Sequence, residues 1–171
     1  MSNITGQLSE EHQTILRAID AILAECTLIE KGKSFDPAYF EMAIDFIKNY
    51  ADKFHHSKEE DVLFKAMMDN MDQMHCNPIP VMLHDPDDGR EHVKEMEEGL
   101  RQNDHGRAIA NAKGYCYLLK DHIYKEDNIL YPMAEEALDE ASKQLVLKQY
   151  DTIEKEQFDE AAIQKYLNMF K

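Results

Sequence analysis

Apolar residues return along this chain at helical spacing. Between Ser9 and Lys31 they fall at Ile15, Ile19, Ile22, Leu23, Cys26 and Ile29, the rhythm of one buried helix face. His12 continues that face toward the N-terminus. Ser9 offers a capping hydroxyl, Glu10 and Glu11 favour the positive helix end, and Gly32 provides a stop. A second helix opens at Asp36-Pro37, a cap followed by proline at the first helical position. Its face runs Phe40, Ile44, Ile47, Ala51, His55, Glu59 and Val62, and it extends to about Met71. After the irregular stretch Cys76-Asn77-Pro78-Ile79-Pro80, a third helix runs to about Asn103, its start blurred by Pro86. A fourth spans about Asp104 to Tyr131, with Pro132 expected to break or kink it. Shorter helical segments follow near 139–154 and 159–170. The pattern predicts an all-α protein, an antiparallel up-and-down four-helix bundle with short additional C-terminal helices. It reads as one domain over residues 1–171, with a bundle core at about 8–136 and a helical extension at 137–171.

Composition supports helix over sheet. Glycine and proline are scarce, at 6 and 5 of 171 residues, and 10 methionines imply an adaptable core. The net charge of −15 argues against nucleic acid and anionic membranes as partners. No apolar run is long enough to span a bilayer, and the N-terminus lacks a basic patch followed by an apolar stretch, so a cytoplasmic protein is expected. Cys26, Cys76 and Cys116 form no CxxC pair and read as reduced thiols, mostly small buried apolar residues.

One pattern occurs twice. His55-His56-Ser57-Lys58-Glu59-Glu60-Asp61-Val62-Leu63-Phe64 and His122-Ile123-Tyr124-Lys125-Glu126-Asp127-Asn128-Ile129-Leu130-Tyr131 both read His-x-x-Lys-Glu-acid-x-aliphatic-Leu-aromatic. Residues four apart stack on one helix face, so each copy points one imidazole and one carboxylate the same way. A lone pair of this kind is an ordinary surface feature. Two matching pairs on apolar faces are not, because a buried carboxylate is costly unless a metal or partner neutralises it. Mixed imidazole and carboxylate ligation suits iron, manganese or zinc. By helical register His55, Glu59, His122 and Glu126 point inward, and His12 is placed to join them. His56 and Glu60 align with Asp52 and Lys53 and are assigned a supporting role at most. His75, His92 and His105 read as surface residues, and Tyr131 as packing.

These motifs resemble the hemerythrin-like family, the HHE cation-binding domain, over roughly residues 8–136. The matching residues are Glu11-His12, His55 through Glu60, and His122 through Asp127. The resemblance implies a four-helix bundle holding two oxo- or hydroxo-bridged irons, with Glu59 and Glu126 as bridging carboxylates. It further implies that an open iron position takes dioxygen, nitric oxide or peroxide, in a carrier, a sensor or a protein of oxidative and nitrosative stress. Similar members carry a histidine ligand in the third helix, within Val-Met-Leu-x-Glu-His-x-x-Gly-Arg. Here Val81-Met82-Leu83-His84-Asp85-Pro86-Asp87-Asp88-Gly89-Arg90 puts Pro86 at that place. Three arrangements stay open: His84 replaces the missing ligand, which is the one favoured here; Asp85 or Asp87 supplies an oxygen; or the second metal position is weak or empty.

The expected ligand set is therefore His12, His55, Glu59, His84, His122 and Glu126, with a small diatomic molecule or peroxide as partner, in a monomer or small homo-oligomer. Whether the site turns over a substrate is left open. Competing readings are a helical metal-dependent phosphohydrolase, using His56, His84-Asp85 and Asp127, and an interaction module with a degenerate single-metal site. A ferritin-like oxidase ranks low, because Glu-x-x-His occurs nowhere in the sequence.

Overall fold

The structure is a computed structural model. It describes residues 2–74, 76–158 and 160–171; the side chains of Val81, Leu83, His84 and Gln157 lie outside the described residues. The readings of His75 as exposed and of the His84 side chain as a ligand thus fall outside them. Among the described residues every regular element is helical.

Helix α1 covers Gly6–Glu30, starting earlier than Ser9. The reason lies outside the local sequence: Asn3 Oδ1 accepts from the Gly6 amide at 2.7 Å, and Glu135, remote in sequence, accepts from the Ile4 and Thr5 amides. Its end is a two-bond stop in which Lys33 N–H reaches Leu28 O and Gly32 N–H reaches Ile29 O. This motif needs a left-handed residue, which Gly32 supplies at φ 106°.

The second long helical stretch is continuous from Pro37 to Asp69 but not uniform. Asp36 caps α2 (Pro37–Phe46) by accepting from the Ala38 amide. The backbone then widens into π-helix over Ile47–His56 and again over Glu59–Leu63, before α3 (Phe64–Asp69). A wide turn of this kind narrows the divergence between adjacent side chains within it and is often found at functional sites.

Helix α4 (Ile79–Arg101) carries Pro86 inside it without ending. It stops through Asn103 at φ 55°, with Asp104 N–H bonded to Gly99 O at 2.8 Å. Asp104 then caps α5 (His105–Lys125) through the Arg107 amide. Gly99 matters for this return: a Cβ there would stand 2.8 Å from Ala108 N, so only glycine lets α4 and α5 approach so closely. A third π segment, Glu126–Leu130, follows α5 and leads into α6 (Tyr131–Ala137). Pro132, the second residue of α6, directly follows the π segment, and the helical stretch runs on through it unbroken. Helices α7 (Glu140–Gln157) and α8 (Glu160–Met169) complete the chain.

The core has two apolar clusters. One gathers Ile15, Ile19, Ile22, Phe40, Phe46, Tyr50, Phe54, Met96 and Leu119 from α1, α2 and the π segment after it, α4 and α5. The other gathers Leu8, Leu63, Phe64, Met67, Ile79, Leu130, Val146 and Tyr150, so α7 is part of it. Along α1, along the second helical stretch and along α5 with its π extension, the buried His and Glu residues fall between the residues that feed these clusters. No helix among the described residues is long and apolar enough to cross a membrane.

Candidate metal centre

His12, His55, Glu59, His122 and Glu126, all expected from the sequence, are buried and meet between the two clusters. Donor atoms of His12, His55, Glu59 and Glu126 lie within 4.8 Å of one another. Donor atoms of His56, Glu59 and His122 form a second such group at the same spacing. Glu59 belongs to both. Glu126 faces both sides, with Oε2 3.3 Å from His12 Nε2 and Oε1 2.9 Å from His122 Nε2.

The structure differs from the helical-register reading at His56, which is 5% exposed with its ring 5.7 Å from that of His122. The π backbone is the cause. On an ordinary helix adjacent residues diverge by about 100°; the i→i+5 turn narrows that divergence, so His55 and His56 both face the centre. Glu60, by contrast, sits at the rim and accepts from Arg90.

Each of the four imidazoles is held from behind by a carboxylate. Nδ1 of His12 meets Asp127 at 3.0 Å, that of His55 meets Glu11 at 2.8 Å, that of His122 meets Asp85 at 3.1 Å, and that of His56 meets Asp52 at 3.4 Å. The carboxylates are held in turn. Buried Lys58 donates to Glu11 and, at 2.8 Å, to Glu154 of α7. Lys125 donates to Asp85, and Arg90 grips Asp52 with two nitrogens. The repeated motif thus explains its own lysine: three residues after each histidine, it fixes the carboxylate that orients that histidine. Such backing is the usual second layer of a metal site, setting the tautomer and aiming Nε2.

Nε2 of His55 and His56 is buried with no hydrogen-bond partner, while Nε2 of His122 and the Glu126 oxygens stand close to one another and to His12 without well-aligned hydrogen bonds. Orphaned polar atoms of this kind are costly, and here they all point to one place. The electrostatics agree. Burial drives the Glu59 carboxyl well above its usual range, with Glu126 adding to it. Glu126 is held ionised below that range because His122 and His12 outweigh its own burial. Burial also opposes the charge on His12, but Asp127 and Glu126 overcome it and raise the imidazole to about 10. His122 rises to about 9 through Glu126, again against burial. His55 is pushed well below its usual value, chiefly by burial. Two carboxylates and four imidazoles crowd one buried space, where protons held on His12 and His122 offset the carboxylates, and one or two metal ions would take over that role. The donor chemistry, imidazole and carboxylate without thiolate, fits iron, manganese or zinc.

Tyr131, read from sequence as packing, takes part in the centre. Its hydroxyl donates to Glu59 Oε1 at 2.5 Å and lies 3.2 Å from His12 Nε2. The two third-helix carboxylates weighed as replacement ligands are placed elsewhere. Asp85 sits behind His122, and Asp87 is exposed and paired with Arg90. Asp127 likewise sits behind His12, so Asp85 and Asp127 do not form the ligand set a phosphohydrolase needs. His92 is half-buried and bonded to Asn111, and His105 stacks on Phe35.

A family model for the hemerythrin HHE cation-binding domain matches residues 3–134. No curated protein and no solved structure matches the chain significantly.

Proposed function

The chain belongs to the hemerythrin HHE cation-binding domain family, and from that premise we infer that it binds two iron ions and uses them to take up or sense dioxygen, nitric oxide or peroxide. The observation that carries the reading is the inward aim of the imidazoles, each tethered at Nδ1 and with Nε2 turned toward the shared carboxylates, two of them with no hydrogen-bond partner there. His12 and His55 would hold one ion and His56 and His122 the other. Glu59 and Glu126 are placed where they would contribute to both. The long helical stretches act as an antiparallel bundle that supplies these residues from α1, the π-helical middle stretch and α5. His56 takes the place of the third-helix ligand that Pro86 removes. Iron in such a setting supplies reversible redox change and an open coordination position. The protein residues supply orientation, charge balance and, through Tyr131, a hydroxyl proton beside Glu59.

The test is metal quantitation of the purified protein with absorption spectra before and after peroxide or nitric oxide. About two irons per chain, with charge-transfer bands that change on exposure, is the expected outcome. Below about 0.2 metal per chain after iron reconstitution, the reading fails and a decayed site replaces it.

A further inference from the structure

Beside the His56–His122 edge of the centre lies a pocket of about 300 Å³. A diatomic molecule is comparable to a water, whose share of liquid volume is ~30 Å³, while an apolar cavity of ~150 Å³ takes up benzene. The pocket is thus far larger than a diatomic ligand needs, and falls at the small end of the range used for organic ligands.

Its walls are Ile47, Pro86, Val93, Tyr115, Leu118 and Leu119, and its inner end is His56 and His122. Pro86 is buried, and its ring offers no polar atom, so α4 presents an apolar wall where a ligating side chain would close the space. Gly89, three residues on, keeps that wall low: a Cβ there would stand 3.4 Å from the Tyr115 ring. Lys48, Arg90 and Lys94 stand at the rim, but each is paired already, with Glu97 at 2.9 Å, Asp52 at 2.8 Å and Glu91 at 3.3 Å. Among the described residues the rim therefore holds no unpaired cation to draw an anion.

We propose that this pocket binds a neutral, mainly apolar organic molecule about the size of one aromatic ring, its inner end against the His56–His122 edge. What the molecule faces rests on the metal reading above; the pocket itself does not. The apolar walls drive binding by burial, and the paired rim charges discriminate against charged molecules, which would lose hydration without gaining a partner.

The test is fluorine NMR with fluorobenzene, titrated into the metal-free full-length chain and then into the chain loaded with manganese(II). The metal-free protein is expected to bind the probe saturably. Gly89→Leu and Leu118→Trp, which place new side-chain volume in the pocket, are expected to weaken binding by about tenfold or more, equivalent to ~1.4 kcal/mol. Leu118 is half-buried, so its variant keeps the test sound should Gly89→Leu compromise folding. Lys148→Ala, on the exposed side of α7 and outside the pocket lining, is expected to leave binding unchanged. In the manganese-loaded protein the bound fluorine is expected to relax markedly faster, because the electron spin sits beside it. No saturable binding, or binding untouched by both filling variants, overturns the pocket assignment. Binding by a chain that takes up neither manganese nor iron supports the pocket and overturns the metal reading instead. Manganese uptake without faster relaxation overturns the placement against the metal edge.

Discussion

Replacing His56 by leucine should have opposite effects on the metal-free and metal-loaded proteins. In the metal-free chain His56 Nε2 is buried without a partner, a loss of about 1–3 kcal/mol for such a group. Leucine of similar bulk removes that cost. What it gives up is small: the contact of Nδ1 with Asp52 is long at 3.4 Å, and Asp52 keeps both of its bonds to Arg90. The net gain should be about 1–2 kcal/mol, or ~2–8 °C in Tm for a chain of this length. With metal present the sign reverses, because one position loses an imidazole. Metal content should fall from about two per chain to about one, and the metal-induced rise in Tm should shrink with it. Calorimetry on chelator-treated and reconstituted protein, paired with metal analysis, reads both effects. A metal-free variant less stable than wild type, or a variant that still holds two metals, would refute the placement of His56.

Glu126→Gln should remove both metals rather than one, since its two oxygens face opposite sides of the centre; metal analysis of the variant decides this. Lys58→Met leaves Glu11 buried beside His55 without its cation and should cost about 3–5 kcal/mol, a Tm fall of ~6–20 °C in thermal unfolding. Iodoacetamide should label one thiol per native chain, Cys76, because Cys26 and Cys116 are buried and burial raises both thiols; mass spectrometry counts the adducts. Glu135 is held below the usual carboxylate range because Lys143 and the Ile4 and Thr5 amides outweigh its burial. Its contribution is therefore complete above the ordinary carboxylate pKa and is lost as pH falls through the lowered one. The stability gap between wild type and Glu135→Gln should close in acid and persist at neutral pH.

The site was legible in sequence to the extent that it obeyed ordinary helical spacing. His55 with Glu59, and His122 with Glu126, stand four apart on apolar faces, and His12 prolongs the face of α1. His56 escaped because the 3.6-residue period was carried through a stretch whose backbone is π-helical. A signal was present nonetheless: Asp52 stands four residues before it, and Arg90 on another helix holds that aspartate. The carboxylates behind the other imidazoles come mostly from distant segments, Glu11 to His55 and Asp85 to His122, and no local pattern encodes such pairings. Tyr131 was hidden by its likeness to Phe64 in the repeated motif. Phe64 is buried in the apolar cluster, while the hydroxyl of Tyr131 reaches Glu59. The start of α1 was misplaced for the same reason as the carboxylates, since Glu135 and Asn3, not Ser9, receive its first amides.

The wide turns between Ile47 and Leu63 make the site sensitive to chain length rather than only to composition. Deleting a single residue there, such as Asn49, would let the backbone resume ordinary helical bonding. A wide turn holds one residue more at a smaller rotation per residue, so the side chains beyond it would keep roughly their phase, while His55 and His56 within it would again diverge by about 100°. All the ligands would still be encoded, yet His56 would be carried away from His122. In this family, then, a one-residue gap in an alignment across this stretch can separate chains with equal ligand inventories but unequal metal capacity. An intact motif is not by itself a measure of an intact centre.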